Sequence, residues 1–245
     1  MRSRFLTGSL TIIISTIVLT LVALTLVAAT VQAKELRQST PNIAAKPTIA
    51  SARTILVFGD SLSASYGVPQ GQGWVALLEA KLAQKQSSKT TYKVVNASIS
   101  GETTSGGLAR FGAALATNKP NIVILELGAN DGLRGLPITE MQANLNQMIV
   151  QAKATKTKVL LIGMKIPPNY GLKYSKNFSA MYTRLAKQHN IALVPFLLES
   201  VAGKLELIQA DGLHPTATAQ ARLLENVWKI LERVLSEMLN YKASL

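Results

Sequence analysis

Five short apolar runs recur along the chain, at Ile55–Phe58, Tyr92–Ala97, Ile122–Leu127, Val159–Gly163 and Ile191–Pro195. Between them lie stretches with helical periodicity, roughly Trp74–Lys85, Gly107–Thr117, Thr139–Lys153 and Phe178–His189, and a last one runs from about Thr216 to Leu239. Short strands that alternate with amphipathic helices bury both faces of a sheet when the strands run parallel and the helices cross over on either side. Strand-first order and right-handed crossovers then favour an α/β fold of the flavodoxin-like kind. The expectation is a three-layer α/β/α sandwich with a five-stranded parallel sheet in the order 2-1-3-4-5. Residues 54–245 suffice for one such domain. No internal repeat interrupts the pattern.

The N-terminus is of a different kind. Arg2 and Arg4 precede an apolar stretch from Leu10 to Ala29, Val31-Gln32-Ala33 offers a small-residue cleavage site, and no acid occurs before Glu35. This is the pattern of an export signal over residues 1–33. Its apolar stretch is long, and about 20 residues of helix span a bilayer. An uncleaved anchor with Arg2 and Arg4 on the cytoplasmic side is therefore the competing reading. Both place the remainder in the periplasm or outside the cell. Residues 34–53, with Pro41 and Pro47, read as a linker.

Composition narrows the function classes. The chain has 245 residues, 48% of them hydrophobic, which suits a packed domain rather than a disordered one. It has no cysteine, so neither disulfides nor a lipidated N-terminal cysteine can hold it. The net charge is +13, of which Arg2 and Arg4 carry two. Its lysines (Lys81, Lys85, Lys89, Lys93, Lys153, Lys156 and Lys158 among them) are scattered and lack interleaved aromatics, so no nucleic-acid partner is expected. Contact with an anionic membrane surface is the sharper reading of the excess charge. The protein is expected to act as a monomer.

Four segments carry chemistry. Gly59-Asp60-Ser61-Leu62-Ser63 closes the first apolar run, and a strand feeding a hydroxyl into a tight turn is how a nucleophilic serine is presented. Asp211-Gly212-Leu213-His214-Pro215 sets an acid and a base three residues apart, so that one loop can position both. A serine hydroxyl attacks only if a base takes its proton, and His214 is the candidate base, with Asp211 to fix its tautomer. Asn96–Gly101 and Gly128–Asp131 can each give a donor to a developing oxyanion. In such sheets ligands bind at the carboxyl ends of the strands. Ser61 follows the first strand, Gly101 the second and Asn130 the third, which delivers all three to one rim.

Each residue alone has an ordinary reading. Ser61 could cap a turn, Gly101 could supply positive φ, and Asn130 could form a turn before Asp131-Gly132. Asp60 is expected to hydrogen-bond within its own turn, and Asn96 to tie the strand-end loops together. His189, before Asn190, reads as a solvent-facing residue at a helix end. Gly59–Ser63 is not the Gly-x-Ser-x-Gly elbow, because it ends in serine. Gly67, Gly71 and Gly73 make neither a dinucleotide fingerprint nor a phosphate loop. No cofactor and no metal are expected.

Taken in order, the four segments resemble the SGNH (GDSL) hydrolase family, named for its serine, glycine, asparagine and histidine. The resemblance runs from about Thr54 to the final helix. It also takes in Glu126-Leu127-Gly128, Asp131-Gly132-Leu133-Arg134-Gly135, Pro168-Asn169-Tyr170-Gly171 and Phe178-Ser179-Ala180. It implies a Ser61–His214–Asp211 triad, with an oxyanion hole made by the N–H groups of Ser61 and Gly101 and the side-chain amide of Asn130. The implied activity is hydrolysis of acyl esters and thioesters, including aryl esters and lysophospholipids. Glu102 stands where relatives often carry aspartate and Ala129 where many carry glycine, and neither change removes a reactive group.

An acyl chain needs an apolar groove. Leu133, Leu136 and Pro137 follow Asn130, while Ile166, Pro167, Pro168 and Tyr170 follow the fourth strand, so both loops are candidates. Added methylenes discriminate weakly, by ~1–3 kcal/mol, so broad specificity is expected. Two other functions compete. A carbohydrate O-deacetylase would want a polar groove with aromatic platforms, against an aromatic content of 5%. A non-catalytic basic envelope-binding module would bind anionic lipid without turnover.

Overall fold

The computed structural model describes residues 51–85 and 90–243. The expected export segment, and the expected linker up to residue 50, lie outside them. The strands are β1 (Ser51–Gly59), β2 (Thr90–Asn96), β3 (Ile122–Glu126), β4 (Lys158–Ile162) and β5 (Ala192–Val194). They pair in parallel in the order β2-β1-β3-β4-β5, as the alternation of apolar runs and helices implies. The long helices are α2 (Trp74–Gln84), α3 (Thr104–Asn118), α5 (Ile138–Ala154), α6 (Leu172–His189) and α7 (Gln220–Ala243). Two short ones, α1 (Ser61–Ala64) and α4 (Ala129–Leu133), follow β1 and β3 directly.

Helices α2 and α7 pack together on one side of the sheet, and α3, α5 and α6 pack side by side on the other. The central strands are covered twice, which is why Ile55–Phe58 and all of β3 are buried and read as continuous apolar runs. Edge strand β2 is only half buried and can carry Thr90, Thr91 and Lys93. The chain reverses direction of travel between β1 and β3, and a crevice opens there at the carboxyl ends of the strands.

Three boundaries differ from the sequence reading. Strand β1 begins at Ser51, so the last residues of the expected linker belong to the sheet. Ser51 to Thr54 pair only with β2, at the edge side, and need no apolar pattern there. Helix α6 begins at Leu172 rather than Phe178, because its first turn is largely exposed and shows no stripe. The last helix begins at Gln220, after a 3₁₀ turn over Ala217–Ala219.

Candidate active site

Strand β1 delivers Ser61 as the first residue of α1, where Asp60 caps the helix by accepting the Leu62 N–H at 3.0 Å. Across the crevice, the loop before α7 brings in His214. Its Nε2 lies 2.9 Å from Ser61 Oγ, and its Nδ1 lies 2.7 Å from Asp211 Oδ2. The other carboxylate oxygen of Asp211 accepts the N–H groups of Leu213 at 2.9 Å and His214 at 3.0 Å. Hydrogen bonds from the His214 and Leu213 backbone, then from the imidazole, pull the Asp211 carboxyl down to about 2. An ionised Asp211 keeps the shared proton on Nδ1, and Nε2 is left to accept from the serine.

The loop that carries this acid and base is fastened by Gln209. Its N–H donates to the His214 carbonyl at 2.7 Å. Its side-chain amide donates to the carbonyls of Pro215 and Tyr66, each at 2.9 Å. The Tyr66 ring in turn lies against the imidazole, centroid to centroid 4.6 Å. Nothing in the sequence pattern marks Gln209 or Tyr66, since the contact that joins them spans 143 positions of the chain.

The donors converge from β2 and β3. Gly101 adopts φ +80°, a left-handed backbone that glycine takes without strain. Neither its N–H nor that of Ser61 is engaged by another described residue. Asn130 Nδ2 donates to the Glu102 carbonyl at 3.0 Å and to Asp60 Oδ2 at 3.2 Å, so both amide hydrogens are held at rest. Asp131, buried beside it, accepts the Thr104 hydroxyl at 2.6 Å and the Thr104 N–H at 2.9 Å. That carboxylate ties α4, which carries Asn130, to the loop that carries Gly101. The same loop is gripped by Arg110, which pairs with Glu102, donates to the Ala97 carbonyl at 2.8 Å and stacks on Phe58. Asn96 joins the strand-end loops as expected, donating to the Ser63 carbonyl at 2.8 Å.

Beside Ser61 and His214 opens a groove of about 210 Å³ whose apolar wall includes Leu133, Met164, Ile166, Phe196 and Leu198. Of the expected groove residues, Leu133, Ile166 and Pro167 line it. Leu136, Pro137, Pro168 and Tyr170 do not. Leu136 gives its carbonyl to the Tyr174 hydroxyl, Pro137 caps α5, and Pro168 and Tyr170 form an outward 3₁₀ turn. The loop after β5, with Phe196 and Leu198, supplies the missing wall. Its apolar Phe196-Leu197-Leu198 run was the available signal. His189 ends α6, half-buried rather than solvent-facing, against Asn146 at 2.7 Å. Among the described residues, no three His, Asp or Glu side chains gather as a metal would require.

Residues 57–222, most of the chain, match the profile of the GDSL-like Lipase/Acylhydrolase family. The chain belongs to that family. It is accordingly an acyl hydrolase. Esterase TesA of Pseudomonas aeruginosa is 53% identical over 186 residues, covering 76% of this chain and 91% of that protein. The thioesterase 1/protease 1/lysophospholipase L1 of Escherichia coli K12 is 41% identical over 187 residues, covering 76% and 87% respectively. The psychrotrophic esterase EstA from Pseudoalteromonas sp., solved as inhibited by monoethylphosphonate, superposes with a TM-score of 0.71 at 41% identity, over 75% of this chain and 99% of that one. The family match spans β1 to the start of α7, and so contains every residue described at the crevice.

Proposed function

We propose that this acyl hydrolase is a serine esterase and thioesterase that works through an acyl-Ser61 intermediate. Ser61 Oγ attacks the acyl carbonyl as His214 Nε2 takes its proton, and Asp211 stabilises the imidazolium that forms. The carbonyl oxygen, now negative, is met by the free N–H groups of Ser61 and Gly101 and by Asn130, whose amide hydrogen shifts from its resting acceptor to the stronger one. Collapse expels the alcohol or thiol with the proton held at Nε2. Water then attacks the ester with His214 again as base, releasing the acid and restoring Ser61. The contact that carries this reading is the 2.9 Å approach of His214 Nε2 to Ser61 Oγ across the crevice.

The groove supports a medium-length acyl chain or an aryl group as substrate, because its wall is largely hydrocarbon and it begins at the serine. The relatives named esterase and thioesterase/lysophospholipase support ester and thioester bonds as the ones cleaved. We further propose export through the apolar N-terminal segment, with the positive charge favouring anionic membrane surfaces. Rapid mixing with a p-nitrophenyl ester tests the intermediate. The expected result is a burst of p-nitrophenol of one equivalent per chain, absent in Ser61→Ala. Linear release from the first turnover, at every acyl length and with deacylation shown to be slow, would count against an acyl-enzyme.

A further inference from the structure

Glu126 ends β3 directly under the turn that carries Ser61, and none of it reaches solvent. Its Oε2 accepts the Ser63 hydroxyl at 2.7 Å and the Asp60 N–H at 3.3 Å, while Oε1 lacks a donor. The carboxyl occupies the space that Gly59 leaves, since a Cβ there would lie 2.6 Å from Oε2. Asp60 is equally buried. Its Oδ1 accepts from Leu62 and its Oδ2 from Asn130. Two acids thus share one dry pocket at the floor of the active site.

Among the described residues no lysine or arginine acts on the pair. Of the other titratable groups nearby, His214 acts on Asp60, while Tyr182 on α6 feels the charges of Glu126, Asp60 and of Asp131 on α4. Arg110 on α3 is committed to Glu102 and the Ala97 carbonyl. A buried carboxylate without a counter-charge takes up a proton instead, and two adjacent carboxyls do so as a pair. The side that stays ionised is the one with more N–H donors, which is Asp60. Burial, and then the Asp60 charge, push Glu126 well above the carboxylate range. The unpartnered Oε1 is the atom free to carry the proton.

We propose that Glu126 is a positioning residue of the oxyanion site: it is kept as the neutral acid, donates its Oε1 proton to the Asp60 carboxylate, and so fixes Asp60 where it holds the Asn130 amide. The proposal rests on the serine-hydrolase reading of the same site. No proton leaves the pair during turnover. Glu126 acts as a fixed donor, and the single charge on Asp60 lies where it also favours the His214 imidazolium.

Infrared spectroscopy of the wild-type protein in mildly alkaline buffer tests the protonation without any variant. The expected result is a carboxylic-acid carbonyl band, shifted in heavy water and missing from Glu126→Gln. Its absence from the wild type overturns the proposal, whether or not the variant folds. Kinetics test the positioning. Glu126→Gln keeps an N–H facing Asp60 and should hold kcat within a few-fold. Glu126→Leu cannot donate and should lose about 10–100-fold in kcat with KM nearly unchanged. Equal losses in both folded variants, or a loss confined to KM, would overturn the role. Phosphonate labelling of Ser61, measured alongside, separates the two readings: without it the hydrolase reading falls, while the infrared band still reports Glu126 alone.

Discussion

Asp211 uses one carboxylate oxygen for the imidazole and the other for its own loop, so it sets both the tautomer and the place of His214. Replacing it by asparagine preserves the shape but favours a proton on Nε2. Asp211→Asn should lower kcat by about 10⁴-fold with KM little changed in steady-state assays. Asn130→Ala should cost about 10²–10³-fold in kcat, since the proposed mechanism loses one oxyanion donor and keeps the backbone ones. Ser61, Gly101 and Asn130 could be singled out because each sits in a short motif just past a strand end, and Asp211 and His214 because one five-residue motif holds both. Gln209, Tyr66, Asp131 and Glu126 were not legible as supports. The partners of Tyr66, Asp131 and Glu126 lie tens of residues away, Gln209 joins its own loop to the equally distant Tyr66, and local pattern carries no trace of such contacts.

Among the elements, α2 and α7 share an unusual fastening. The Gln220 side chain, buried at the start of α7, accepts the Trp74 N–H at the start of α2 at 3.0 Å and donates to the Thr216 carbonyl at 3.2 Å. It supplies a cap that Gly73 cannot, and it anchors the segment that follows His214. Gln220→Ala should destabilise the fold by about 1–3 kcal/mol in urea unfolding, because a buried amide N–H loses its acceptor. A loss indistinguishable from zero would mean that water replaces the cap. The long helices were readable from periodicity, since each is long enough to show its repeat, and the strands as short apolar runs between them. Helices α1 and α4 were not, having four and five residues, less than the two turns a helical stripe needs. Those two short helices present Ser61 and Asn130, so the elements nearest the chemistry were the hardest to read.

For the whole molecule, buried acids at the site set a pH dependence of stability. Burial pushes Asp60 up to about 6, against 3.8 for an ordinary aspartate. Between these values the folded chain binds the proton and the unfolded chain does not, so the contribution of Asp60 to stability falls as pH rises through this window and levels above it. Asp211 acts oppositely: its lowered value adds stability above about 3.8 that is lost as pH falls towards about 2. Glu126, pushed well above its ordinary range by burial, acts in the same direction to higher pH, so urea unfolding should show stability declining from about pH 4 and still declining past about pH 7. Asp60→Asn should flatten the part of that decline between about pH 4 and about pH 6, and an unchanged slope there would place its origin elsewhere. The charge of +13 acts on the exterior. Binding to anionic vesicles should weaken with salt and survive Ser61→Ala, since it needs surface lysines and not the serine.

The proposed chemistry at the centre is acyl transfer to one hydroxyl, and a fluorophosphonate reads it most directly by trapping that hydroxyl as a stable tetrahedral ester. Intact-mass measurement should show one phosphonyl group per chain, mapped by digestion to the peptide containing Ser61, slowed strongly in His214→Ala and absent in Ser61→Ala. Well-folded protein that takes up no phosphonyl group, or carries it on another residue, would contradict the relay drawn between Ser61, His214 and Asp211.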